Sequence, residues 1–304
     1  MSFSTKIEQF SGDITGLDTT NALKQAVDHT LGVVKAANPA LLASFARKMK
    51  VATSMGTGYN LRDTNVFSVL KMERETDSGT NSAKTYVCQP VGGEQEPSLI
   101  DSSSIYYAQA YSPSYIIDFE SNLKIFPDPT SSHNGYMYLV YGSGSKTIDD
   151  TNETIKDNSE TVFGDTFTTA ERFPSVWKQY VILQASDILL QEKLSDFSGK
   201  ISNVTDAIEK AQKLIDDSEN VGGDSASTMS SAQDWLEDED EDMTASTVQV
   251  AGQEINRATA ELNKLNGDYQ FVSNQLNLIQ TKKQEFLQSQ GLGGVSDNPV
   301  EGQI

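Results

Sequence analysis

Two stretches of this sequence carry apolar residues at intervals that alternate between three and four. The first runs Val176, Tyr180, Leu183, Leu190, Leu194, Phe197, Ile201, Val204, Ile208, Ala211 and Ile215, with Asp187 the one polar intruder. The second runs Val248, Ala251, Ile255, Ala258, Leu262, Leu265, Tyr269, Val272, Leu276, Ile279 and Phe286, with Lys283 the exception. A strict seven-residue period keeps a narrow apolar seam facing a partner helix and imposes a left-handed supercoil. At the α-helical rise each stretch is roughly 55–60 Å long. Two heptad helices of similar length, joined by a polar connection, predict an antiparallel helical hairpin over 171–290 whose seams are core. Asp187 and Lys283 would lie toward the same end of it, where an internal charge pair sets register. Gly199 and Gly267 are expected to loosen the helices locally.

The connection, 216–244, contains Asp234-Trp235-Leu236-Glu237-Asp238-Glu239-Asp240-Glu241-Asp242-Met243. A calcium loop of the EF-hand type alternates its ligands in this way, but it needs a central glycine that is missing here. Paired catalytic carboxylates need a pocket that drives their pKa values apart, which a continuous run does not supply. The run reads as a solvated lead-in to the second helix, where acidic side chains favour the positive end of the helix dipole. Trp235 and Leu236 are expected to anchor it.

Upstream, 1–58 reads as a helical segment. Leu23, Val27, Leu31 and Val34 recur at helical spacing behind Asp18, Thr19 and Thr20. Asn38-Pro39 breaks that helix, and Pro39 opens a second one carrying Leu41, Leu42, Phe45 and Met49. The segment 59–141 is β-rich, with strand-like runs at Val66–Met72, Thr85–Cys88, Tyr115–Phe119, Leu123–Phe126 and Tyr136–Tyr141. Turn clusters separate them, as in successive hairpins of an antiparallel sheet; Ser98–Gln109 reads as a short helix between strands. Gly, Ser, Thr, Asn and Asp dominate 142–170, which reads as a flexible connection, and 291–304 reads as a flexible tail. The class is α+β: N-terminal helices, a small antiparallel β-rich domain and a long C-terminal heptad-repeat helical hairpin.

The charge balance narrows the partners. With 23 basic and 43 acidic residues the net charge is −20, which opposes binding to a nucleic-acid backbone or an anionic membrane. The single cysteine, Cys88, precludes a disulfide within the chain and reads as a buried thiol. Met1–Phe10 is polar, and no apolar run approaches the ~20 residues that span a bilayer. The expectation is a protein made and folded in a cytoplasm. Of the two histidines, His29 falls in a helix and His133 in a turn. Gly142-Ser143-Gly144-Ser145-Lys146 superficially resembles a phosphate loop, but its spacing is wrong. Tyr106 and Tyr107 could stack on bases; in so acidic a chain they read as sheet core or protein interface. No catalytic, cofactor-binding or metal-ligating set emerges, and the expectation is a non-enzymatic scaffold that works by assembling.

Three stretches resemble structural proteins of tailed bacteriophage virions. They are Ser114–Pro129 followed by Gly135–Tyr141; Phe173–Ser186, which reads Phe-Pro-Ser-Val-Trp-Lys-Gln-Tyr-Val-Ile-Leu-Gln-Ala-Ser; and Trp235–Met243 leading into the Gln- and Asn-rich helix. The second is similar to the strand-to-helix junction of head-to-tail adaptors. The resemblance implies a neck or connector protein, a homo-oligomeric ring below the portal that contacts the portal and other neck or tail proteins. Synthesis would then be in the host bacterial cytoplasm. DNA would pass through the lumen without specific binding, and an acidic lumen suits that passage. Short-tailed phage adaptors are usually smaller and lack so long a hairpin, which leaves open a collar or fibre-type role with an intermolecular coiled coil.

Overall fold

Ser2 accepts a hydrogen bond on its Oγ from the Thr5 amide and starts α1, Phe3–Ser11. Asp18 does the same for α2, Thr19–Ala37, accepting from Asn21 N at 2.9 Å. The buried face of α2 includes Leu23, Val27, Leu31 and Val34, the positions given by the spacing. Asn38 ends this helix and caps a short 3-10 helix, Pro39–Phe45. The expected second α-helix does not reach Met49. The chain instead enters β1, Arg47–Val51, with Arg47, Met49 and Val51 buried and Lys48 and Lys50 exposed. That two-residue period is the strand signature, but its pairing partner lies some ninety residues downstream. The computed structural model describes residues 1–76, 84–215, 232, 236 and 241–292.

The next strands are β2 (Tyr59–Asn60), β3 (Val66–Glu75), β4 (Thr85–Val87) and β5 (Gln89–Gly92). After the short helix α3, Glu96–Ile100, come β6 (Ser114–Ile117), β7 (Asn122–Phe126) and β8 (Gly135–Tyr141). They form two four-stranded sheets, ordered β1-β8-β3-β4 and β2-β7-β6-β5. Successive antiparallel hairpins are expected, but only β3–β4 and β6–β7 pair that way; β1 and β3 both pair with β8, β2 pairs with β7, and β5 and β6 run parallel, with Gln89 opposite Ser114. Met49, Met72, Met137 and Leu139 from the first sheet share one core with Tyr59, Leu123 and Ile125 from the second. Cys88 lies in that core as expected.

The segment 142–170 is a correction. It is not a flexible connection but a run of short strands: β9 (Lys146–Asp149), β10 (Thr154–Asp157), β11 (Glu160–Val162) and β12 (Asp165–Phe167), with β13 (Ala170–Glu171) pairing back onto β10. The same polar residues that read as a linker make the turns, such as the Asp149 carboxylate accepting from Asn152 N. What holds the strands is partly ionic: Lys146 and Asp157 are a buried pair.

Among the described residues beyond β13 stand two long helices, α4 (Ser175–Ile215) and α5 (Glu241–Ser289). The described chain divides into two compact units, and the division passes through both helices: Asp187–Gln280 forms one, and everything before Asp187 joins the residues from Thr281 onward in the other. In the larger unit, Trp177 and Tyr180 of α4 pack their rings on Phe286 of α5, at 5.4 and 5.6 Å between centroids. In the smaller, Phe197 meets Tyr269 at 6.1 Å, and Lys210 pairs with Glu254 at 3.2 Å. Within the smaller unit, partner numbers fall on α5 as they rise on α4. Gly199 and Gly267 interrupt neither helix.

Candidate functional site

Two constellations in the larger unit invite a functional reading, and burial separates them. The first is a polar knot inside the β body. Tyr59 of β2 and Tyr141 of β8 share a hydrogen bond of 2.8 Å between hydroxyls, and Tyr59 also donates to Glu160 of β11 at 2.8 Å. Tyr141 contacts Glu160 and Met49 Sδ, at 3.3 and 3.0 Å. The Arg47 guanidinium lies 3.3 Å from Glu160, sits over the face of Phe167 at 3.5 Å, and donates to Asn158 O. Burial pushes the Tyr59 hydroxyl up to about 12 and the Tyr141 hydroxyl still higher. Neither tyrosine can serve as a base near neutrality. The knot ties the strands of 142–170 to both sheets.

The second constellation is exposed. Between Ile100 and Phe119 the chain turns Ile100, Ile105, Tyr106, Tyr107, Tyr111, Ile117 and Phe119 outward, with Ile105 and Phe119 about nine-tenths accessible (90% and 92%). Local polar bonds shape this loop. Asp101 accepts from the amide and hydroxyl of Ser103, and Ser104 Oγ accepts from Tyr106 N. Ala108 N donates to Leu99 O at 3.1 Å, closing the loop over a small core of Leu99, Ala108 and Ile116. Beside it lies a cavity of about 350 Å³ lined by Met55, Leu99, Tyr107 and Phe126 among others, with Lys124 and Glu96 paired at 3.0 Å. The hydrogen bond from Lys124 to Glu96 holds that ammonium above its ordinary range. The exposed aromatic and branched side chains therefore stand over a fixed base.

Tyr106 and Tyr107 belong to this exposed loop rather than to a sheet core. The Ser98–Gln109 helix is confined to α3, which ends at Ile100. Cys88 is buried, and burial pushes its thiol up to about 12. His29 lies in α2, ring-to-ring with Tyr180 at 6.3 Å, and His133 closes a bridge with Thr130. The 142–146 loop does cradle an anion, but it is the chain's own: Ser143 donates its amide and hydroxyl to Asp28, at 2.7 and 2.6 Å. Of the acidic stretch, Glu241 and Asp242 form the first turn of α5 and Leu236 is exposed rather than anchored. Asp234, Trp235 and 237–240 lie outside the described residues, as does most of the 216–244 connection, and so does the tail from 293. No three potential metal ligands cluster among the described residues, and none of the described helices is long and apolar enough to cross a membrane.

The exposed loop carried one legible signal, the Ile-Tyr-Tyr run at 105–107 between turn residues. The knot carried none, because its members are scattered from Arg47 to Phe167. Comparison with protein-family models finds no match, and comparison with curated proteins finds none either.

Proposed function

We propose that the protein is a non-enzymatic structural subunit of a tailed-phage virion, a head-to-tail connector (neck or adaptor) that forms a homo-oligomeric ring below the portal. The observation that carries the reading is the exposed apolar segment Ile100–Phe119, fixed to the β body by Leu99 and Ala108. It adjoins and overlaps Ser114–Pro129, the stretch that resembles virion proteins. A neighbouring neck or tail component would cover it. The two heptad helices would pair along their seams as an antiparallel hairpin, in line with the Phe197–Tyr269 and Lys210–Glu254 contacts. The net charge of −20 suits a lumen through which DNA slides without sticking.

A collar or fibre-type subunit is the second reading. It is favoured by apolar heptad residues that stay exposed within one chain, Ile201, Ile208 and Ile215 on α4. The copy number of the chain per purified particle, from quantitative peptide mass spectrometry against the portal protein, separates the two. One copy per portal subunit supports the connector. Small multiples of three that do not track the portal support the fibre, and absence from the particle sinks both.

A further inference from the structure

The seam of the smaller unit splits into two rows with opposite fates. Val204 and Ala211 on α4, with Ala251, Ala258, Leu265 and Val272 on α5, are at most 9% exposed. The alternate members are about half exposed: Ile201, Ile208 and Ile215 on α4, then Val248, Ile255, Leu262 and Tyr269 on α5, between 44% and 53%. A seam expected to be core is thus closed along one row and open along the other.

The open rows belong together. Each keeps a seven-residue step, and in an antiparallel pair the same heptad position of both helices falls on the same side of the seam. The residues that border this side are uncharged on α5. One turn beyond each open position stand Gly252, Thr259, Asn266 and Ser273; one residue beyond stand Gln249, Asn256, Asn263 and Gln270. The charges of α5 between Val248 and Gln280 fall elsewhere, at Glu254, Arg257, Glu261, Lys264 and Asp268. Glu254, Arg257 and Glu261 line a separate polar groove with Lys210. On the matching part of α4 the bordering residues are Thr205 and Gln212, and Glu209 is the one charge at the edge.

We propose that this face packs against the same face of a second copy, closing a four-helix bundle. A second copy supplies the matching seven-residue step. It also supplies a largely uncharged contact, which two chains of net charge −20 can make with few carboxylates set against each other. Small neighbours such as Gly252 and Ser273 allow helix axes to approach to about 8–10 Å. Seven half-exposed side chains offer roughly 500–600 Å² per copy, so a pair buries about 1,000–1,200 Å², the lower bound of a specific interface. The inference rests on the smaller unit alone and does not depend on the virion reading.

Sedimentation equilibrium of the purified full chain tests it. The wild type should weigh two copies, and Ile208→Glu and Ile255→Glu should each return it to one with helix content retained by circular dichroism. Lys264→Glu, away from the face, should remain a dimer. A wild type that stays single at every concentration overturns the proposal. So does any assembly that survives both Ile substitutions, a result that would leave a connector ring standing on other surfaces. If those variants lose helix, a spin label at Lys264→Cys, away from the face, decides without disturbing the contact, since the native thiol is buried. A resolved distance between labels of two copies upholds the face, and none overturns it.

Discussion

The hydroxyls of Tyr59 and Tyr141 meet at 2.8 Å, joining β2 of one sheet to β8 of the other above the Glu160 carboxylate. The two bonds to Glu160 differ in what they protect. Tyr141→Phe removes one buried hydroxyl and leaves Tyr59 satisfied by Glu160, so it should cost about 1–2 kcal/mol. Glu160→Gln takes the carboxylate from beside Arg47, whose side chain is buried, and should cost about 3 kcal/mol. Urea unfolding of the two variants checks the order; equal losses would mean that Arg47 does not depend on Glu160.

The same burial makes the fold sensitive to alkali. Tyr59 and Cys88 are held protonated up to about 12, each chiefly by desolvation, and Tyr141 shifts in the same direction. In the unfolded chain a thiol ionises near 8.5 and a phenol near 10. The folded state therefore binds more protons above those values, and stability falls as pH rises. The stabilisation is fully present below about pH 8.5 and is lost progressively toward pH 12. The melting temperature should decline from pH 9 to 11.5, and Cys88→Ala and Tyr141→Phe should each flatten part of that slope. A wild-type profile level to pH 11 would contradict the shifts.

What the sequence disclosed depended on how local each signal is. Leu23 to Val34 and the two heptad stretches announce helices because every repeat lies within a few residues of the next. Phe3 and Ile7 behind Ser2 carried the same signal for α1 in a stretch that reads simply as polar. Arg47–Val51 was misread because its partner strand begins at Gly135. The 142–170 strands were misread because a core stabilised by Lys146 and Asp157 looks like surface in any hydrophobic pattern. The exposed Ile100–Phe119 segment was half legible: an aromatic run marks burial or interface equally, and the loop closure by Leu99 decides which.

Lys146 and Asp157 form an ion pair with both side chains 1% exposed. Removing one partner strands a buried charge, so Lys146→Met or Asp157→Leu alone should cost about 3–5 kcal/mol. Replacing both with apolar residues of similar size should recover most of that loss. The double-mutant cycle, measured by chemical denaturation, should show a coupling of at least about 2 kcal/mol. Additive losses would mean that the two side chains act separately.

Gly199 and Gly267 lie in the interiors of α4 and α5, and a Cβ at either would meet nothing within 4 Å. Both have helical neighbours on each side. Each sits two positions before an open heptad residue, Ile201 and Tyr269, on the outer face of its helix. Substitution by alanine therefore removes unfolded-state freedom without a steric penalty and should stabilise by about 0.5–1 kcal/mol per site. Because neither residue borders the uncharged face, Gly199→Ala and Gly267→Ala should raise the unfolding midpoint and leave the dimer constant unchanged. A change in that constant would place the glycines at the contact and shift the docking face around the helix pair.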